Sequence, residues 1–117
     1  MVNYYSHEIY SAKISKNVLG FSDLGHLAIK LLCEKKNGEI VSSQIAQDIS
    51  ENYLEVMVDE YQDINDIQNT IFKMITKNEK NLFMVGDVKQ SIYKFRQSRP
   101  QIFLEKKDKF SRYNPEA

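Results

Sequence analysis

Two short apolar runs, each ending on a polar tip, constrain this chain more than anything else in it. Tyr53-Leu54-Glu55-Val56-Met57-Val58 is mostly apolar, partly β-branched, and stops at Asp59-Glu60. Asn81-Leu82-Phe83-Met84-Val85 is a second such run and stops at Gly86-Asp87. Runs of this length and content are buried strands. Between them Asn65, with Gln68 three residues on, has the capping-box pattern, and Ile67, Ile71, Met74 and Ile75 give the following helix an apolar stripe. Asn78 to Lys80 supply the turn into the second strand, and Pro100 suits the first turn of a last helix ending near Lys109. Strand, tip, helix, strand, tip, helix is the order of a parallel α/β sheet. Strands over about 54–58 and 81–85 then lie side by side. Ligands of such sheets collect at the C-terminal strand ends, so both tips open into one crevice.

The first half of the chain has a different period. Tyr5, Ile9, Tyr10 and Ile14 are spaced for a helix over residues 3–17. A second helix opens at Phe21-Ser22-Asp23-Leu24, with Ser22 as its cap and Leu24, Leu27, Ala28 and Leu31 on one face, and ends at Asn37-Gly38. A short helix follows from about Ser43 to Ser50, with Ile45 and Ile49 inward. A chain of 117 residues holds one small domain and not two. Residues 1–117 are therefore taken as one unit: a helical lead-in over about 1–50, then the αβ segment over 51–117.

Formal net charge is zero, so the total does not announce a partner, but the distribution is polar along the chain. Residues 48–66 carry Asp48, Glu51, Glu55, Asp59, Glu60, Asp63 and Asp66 and no Lys or Arg. Residues 89–112 carry Lys89, Lys94, Arg96, Arg99, Lys106, Lys107, Lys109 and Arg112 against Glu105 and Asp108. An acidic stretch suits a metal and a basic one suits phosphates; two ordinary solvated faces would look the same. The single cysteine, Cys33, allows neither an internal disulfide nor a cysteine metal cage and sits in an apolar run as a small core residue. No membrane-spanning or secretory pattern is present, and the expected location is cytoplasmic.

Chemistry concentrates at the two tips. At Asp59-Glu60, one carboxylate on a rigid strand end can hold magnesium while its neighbour orients and deprotonates a water. After Gly86-Asp87, Gln90 can reach a phosphate or the water near it while staying uncharged. Tyr93 and Phe95 offer flat faces to unpaired bases, and Lys94 and Arg96 offer charge to a nucleic-acid backbone. Spacing alone leaves Tyr93 and Phe95 equally open to core packing, and leaves the strand-end acids open to simple solvation.

The strings VMVDEYQDINDIQ and NLFMVGDVKQSIYKFR together resemble motifs II and III of UvrD-like superfamily 1 DNA helicases. Asp87-Val88-Lys89-Gln90-Ser91-Ile92-Tyr93 with Phe95-Arg96, then Pro100-Gln101-Ile102-Phe103-Leu104-Glu105-Lys106, is similar to the AddA branch, the helicase-bearing subunits of ATP-dependent helicase/nucleases. Leu19-Gly20-Phe21-Ser22-Asp23-Leu24 is similar to the Asp-Phe-Ser-Asp-Leu signature ahead of motif II in that branch. The resemblance implies part of a RecA-like P-loop NTPase domain and the cofactors ATP and Mg²⁺. It places Mg²⁺ on Asp59, the general base at Glu60 and the γ-phosphate sensor at Gln90. Gln62 and Asp63 would line the nucleotide crevice as binding and coupling residues, with Asn65 and Gln68 behind them. Tyr93, Lys94, Phe95 and Arg96 would contact single-stranded DNA. The partners it implies are DNA, including duplex ends, the remainder of the motor domain, and the second, different subunit of a helicase/nuclease complex, in bacterial double-strand-break repair.

There are departures. Gly20 stands where the family usually has Asp, and Gln97-Ser98 where UvrD has Gly-Ala. No Gly-x-x-x-x-Gly-Lys-Ser/Thr occurs in these residues, so the chain reads as an inactive excerpt of an ATP-dependent helicase. Two other readings compete: a magnesium-dependent nuclease using Asp59, Asp87 and Lys89, and a non-catalytic module that binds DNA or a partner. A further expectation is physical. The outer edge of residues 81–85 is apolar, free of Pro and free of charge, so it should recruit a second copy of the chain or be covered by residues 1–17 or 108–117.

Overall fold

The computed structural model describes residues 2–91 and 98–110, and within them helices and strands mix in the order α1 (Val2–Lys16), α2 (Phe21–Leu32), β1 (Cys33–Lys36), β2 (Glu39–Ser42), α3 (Gln44–Asn52), β3 (Val56–Val58), α4 (Asp66–Met74), β4 (Leu82–Met84) and α5 (Pro100–Lys109). Two 3-10 turns, Tyr61–Asp63 and Val88–Gln90, follow β3 and β4. β3 and β4 pair in parallel, Val56 opposite Leu82, Met57 opposite Phe83 and Val58 opposite Met84, as the two apolar runs predict.

The caps explain why the helices begin where they do. At α4, Asn65 Oδ1 accepts the Gln68 N–H at 2.9 Å and Gln68 Oε1 accepts the Asn65 N–H at 3.0 Å, which is the predicted reciprocal box. Ser43 caps α3 by accepting the Ala46 N–H. α5 starts on Pro100 in its first turn, where the missing N–H has no partner to lose. At α2 the expectation of a Ser22 cap is corrected: the cap position is Gly20, whose N–H donates to Asp23 Oδ2 at 2.6 Å. Asp23 also holds Lys13 of α1 at 2.6 Å, so one carboxylate both closes the helix end and ties α1 to α2.

The larger correction is at residues 33–42. The helix expected to reach Asn37-Gly38 stops at Leu32, and an antiparallel hairpin follows, with Cys33 opposite Ser42 and Lys36 opposite Glu39. Asn37 and Gly38 both have positive φ, 52° and 81°. That pair of left-handed residues makes the tight turn whose twist matches a two-stranded ribbon, so Asn-Gly joins strands here and does not terminate a helix. Side-chain burial also differs from the expected stripes. Leu24, Leu27 and Leu31 are exposed while Ala28 and Leu32 face inward; in α3, Ala46 is fully buried and Ile45 is exposed.

Two small cores result. Leu32, Ala46 and Met74 bring α2, α3 and α4 together, with Ala28, Ile49 and Ile71 packed around them. Tyr61, Ile64 and Ile102 bind the β3 tip to α5 over Val58, Phe72, Leu82, Met84 and Phe103. Tyr61 is wholly buried; its ring lies 6.1 Å from Phe72 and 6.2 Å from Phe103, pairs that contribute about 0.5–1.5 kcal/mol each beyond burial. Its hydroxyl donates to Asn69 Oδ1 at 3.1 Å. One face of the β3–β4 pair is thus covered. On the other, Met57 (69% exposed) and Phe83 (59%) lack a cover among the described residues, although parallel sheets normally bury both faces.

Candidate functional site

β3 and β4 end side by side because their tips are stitched together. Val85 donates its N–H to Val58 O and Tyr61 donates its N–H to Val85 O, both at 2.9 Å. The chain leaves β3 through Asp59 and turns at Glu60, whose φ and ψ of 51° and 40° lie in the left-handed region. A residue other than glycine held there costs on the order of 1–3 kcal/mol, and such strain collects where the surroundings fix a side chain for use. Asp59 Oδ1 accepts the Glu60 N–H at 2.7 Å, and both side chains are exposed at the crevice.

Gln62 joins the two tips. It is fully buried. Its Nε2 donates to Glu60 Oε2 at 2.6 Å, and its Oε1 accepts the Asp87 N–H at 2.9 Å. The orientation of the amide follows from its partners, since a carboxylate can only accept and a backbone N–H can only donate. Gly86 is part of the same arrangement. The expectation was a sharp turn requiring glycine, but among the described glycines only Gly38 has positive φ. The need at Gly86 is close approach: a Cβ there would stand 2.6 Å from Gln62 Oε1 and 3.3 Å from Phe103.

Asp87 caps the 3-10 turn after β4, its Oδ1 accepting the Lys89 N–H at 3.0 Å, and Gln90 closes that turn through its N–H to Asp87 O. Local capping thus accounts for the Asp-x-Lys spacing on which the nuclease reading rested. Gln90 is exposed. Asp63 is half-buried, and its Oδ1 finds no hydrogen-bond partner among the described residues. Tyr93, Lys94, Phe95 and Arg96, expected to contact nucleic acid, lie outside the described residues. The structure therefore brings Asp59, Glu60, Gln62 and Asp87 to one crevice, with Gln90 three residues along the same loop.

Behind the crevice sits a buried ion cluster that sequence reasoning missed. Glu79, in the turn before β4, accepts hydrogen bonds from Lys106 and, at 3.1 Å, from Lys109 of α5. Burial alone would raise the Glu79 pKa, but the two lysines outweigh it and hold the carboxyl below its ordinary range. Burial and the nearby Glu79 charge push the Tyr61 phenol upward, so it stays a neutral hydrogen-bond donor. The only signal in the sequence was the positive charge of α5, which looked like a solvated face.

Magnesium needs little protein. It is held by one or two carboxylates with the substrate phosphates and water completing its octahedron. An exposed strand-end carboxylate such as Asp59 fits that requirement. No cluster of three or more His, Cys, Asp or Glu side chains capable of caging a metal occurs among the described residues. No helix there is long and apolar enough to cross a membrane.

Residues 1–111 match the UvrD/REP helicase N-terminal domain family. The chain is 45% identical over 104 residues to the AddA-type ATP-dependent helicase/nuclease protein of Lachnoclostridium phytofermentans. It is 48% identical over 103 residues to that of Pelotomaculum thermopropionicum, and 48% identical over 106 residues to that of Clostridium perfringens. These alignments cover 86–87% of this chain and 8% of each relative, so the chain spans about a twelfth of their length.

Proposed function

Because the chain belongs to the UvrD/REP helicase family, we propose that residues 56–63 and 86–96 are its motifs II and III and that they supply one wall of the ATP site of a DNA helicase. The domain is then a segment of a RecA-like P-loop fold. The observation that carries the reading is the parallel β3–β4 pair whose two polar tips meet in one crevice through Gln62.

Within that site Asp59 holds the magnesium of Mg-ATP. The ion supplies charge stabilisation at the phosphates when bound. Glu60 orients the attacking water and takes its proton. Oε2 is already held by Gln62, so the proton goes to Oε1. Gln90, exposed on the loop after β4, contacts the γ-phosphate or the water in line with it. Tyr93, Lys94, Phe95 and Arg96 follow Gln90 directly in the chain. Stacking on bases and pairing with phosphates by these residues would link DNA contact to the loop that senses the nucleotide.

The relatives are named as one subunit of an ATP-dependent helicase/nuclease. The protein of this chain accordingly acts with a second, different subunit in bacterial DNA repair, in the cytoplasm, with nuclease chemistry in another part of the same polypeptide. The deciding experiment is Glu60→Gln in the native, full-length protein. Nucleotide binding is expected to persist while DNA-stimulated turnover falls at least about a hundredfold, the scale of a lost general base. Turnover near normal would reduce Glu60 to a strand-end acid and remove the reading.

A further inference from the structure

Gln62 is the one polar side chain of the crevice that solvent does not reach, and it is wholly buried. A side chain in that position cannot touch a nucleotide, whatever the motif suggests. It does touch the two tips that would. One end of its amide donates to the Glu60 carboxylate and the other accepts from the Asp87 backbone. Glu60 itself sits in the left-handed region, where its backbone has no preference that would hold it. The amide therefore fixes the rotamer of Glu60 from the side, and it does so by reference to the strand end that leads into the Gln90 loop. Gly86 protects the contact by leaving no Cβ where Oε1 lies.

We infer that Gln62 is a positioning residue for turnover, holding the Glu60 carboxylate in register with the loop that begins at Asp87. A shift of that loop moves the Asp87 N–H, then the amide, then the carboxylate, so the loop's conformation reaches the proton acceptor through one buried side chain. This rests on Glu60 being the base.

The test measures DNA-stimulated ATP turnover by the native protein in five forms: wild type, Gln62→Met, Gly86→Ala, Glu60→Gln, and the Gln62→Met/Glu60→Gln pair. Gln62→Met keeps the volume and removes both hydrogen bonds. It should lower kcat roughly 10- to 100-fold, the scale of misplacing a reacting group by an ångström, with KM for ATP unchanged. Added to Glu60→Gln it should lower the residual rate no further, because it acts only through Glu60. Gly86→Ala displaces the amide from the other side and should reproduce the kcat loss with Gln62 intact. It carries the same test should Gln62→Met fail to fold.

Wild-type kcat in both Gln62→Met and Gly86→Ala overturns the inference while leaving the role of Glu60 standing. So does an equal loss on both backgrounds, or a loss confined to KM, since either places the effect elsewhere. Normal turnover in Glu60→Gln overturns both assignments at once.

Discussion

The carboxylate of Glu79 and the ammonium of Lys106 meet inside the protein, 27 residues apart in sequence, with side chains only 6% and 9% exposed. Glu79 lies in the turn from α4 to β4, with a positive φ of 63°, and Lys106 lies on α5 above the Tyr61 ring, 6.0 Å from its centre. This pair fixes α5 against the sheet end and so sets the wall on which Tyr61, and next to it Gln62, is seated. Removing one partner strands the other. Glu79→Gln should cost roughly 3–5 kcal/mol of unfolding free energy, the scale of an uncompensated buried charge, read by urea titration. A loss below about 1 kcal/mol would mean that Lys106 escapes to water at the cost expected of a surface pair.

The same pair gives stability a pH dependence. The folded-state pKa of Glu79 is depressed below its reference of 4.5. Its contribution is therefore fully present above that reference and is lost as pH falls through the lower folded value. Unfolding midpoints measured from pH 7 down to acid should fall at the low end in the wild type, with a smaller fall in Glu79→Gln. Parallel curves for the two proteins would show that other carboxylates govern acid unfolding.

How much of this was legible in the sequence depends on whether the signal was local. The β3 and β4 runs, the Asn65–Gln68 box and Pro100 at the start of α5 are each set by neighbours within a few residues, and each was read correctly. The hairpin at 33–42 was misread because Asn-Gly serves a helix end and a tight strand turn alike, and Cys33-Glu34-Lys35-Lys36 has no alternation to decide between them. The burial of Ala46 in place of Ile45 turns on the rotation of a short helix against α2 and α4, which no single stripe encodes. Gln62 and Glu79 were invisible as partners because their contacts, to Asp87 and Lys106, span 25 and 27 residues.

Base contacts are assigned to Tyr93 on chemistry alone. Tyr93→Ala in the native protein should weaken single-strand binding by about 1–3 kcal/mol if the ring stacks on a base. Fluorescence anisotropy with a labelled oligonucleotide reads this directly. Lost thermal stability with unchanged DNA affinity would return the ring to core packing.

These 117 residues, expressed alone, should show no DNA-stimulated ATPase. They contain Asp59 and Glu60 but no phosphate-binding loop or lysine to cradle the triphosphate, and charge stabilisation at the phosphates supplies most of the catalysis. Phosphate release above background that disappears in Glu60→Gln would contradict this.

The outer edge of β4 gives a prediction about association. Among the described residues β4 pairs only with β3, and residues 2–16 form α1, which pairs with no strand. With Asn81 and Val85 bonded to β3, the Leu82 and Met84 backbones face the other way. Leu82 N–H finds Glu79 O in the turn, which blunts the edge only at its start. The exposed Phe83 and Met57 add an apolar face beside it. An edge of this kind, without proline or charge, templates pairing with another strand. The chain alone should therefore sediment as a dimer or larger species, with the proportion rising with concentration. Phe83→Lys puts a charge on the exposed face of the edge strand without entering either core, and should shift the chain towards monomer at unchanged helix content. A wild-type chain that stays monomeric across the concentration series would show that the edge is covered. Association unaffected by Phe83→Lys would move the contact to the exposed leucines of α2, Leu24, Leu27 and Leu31.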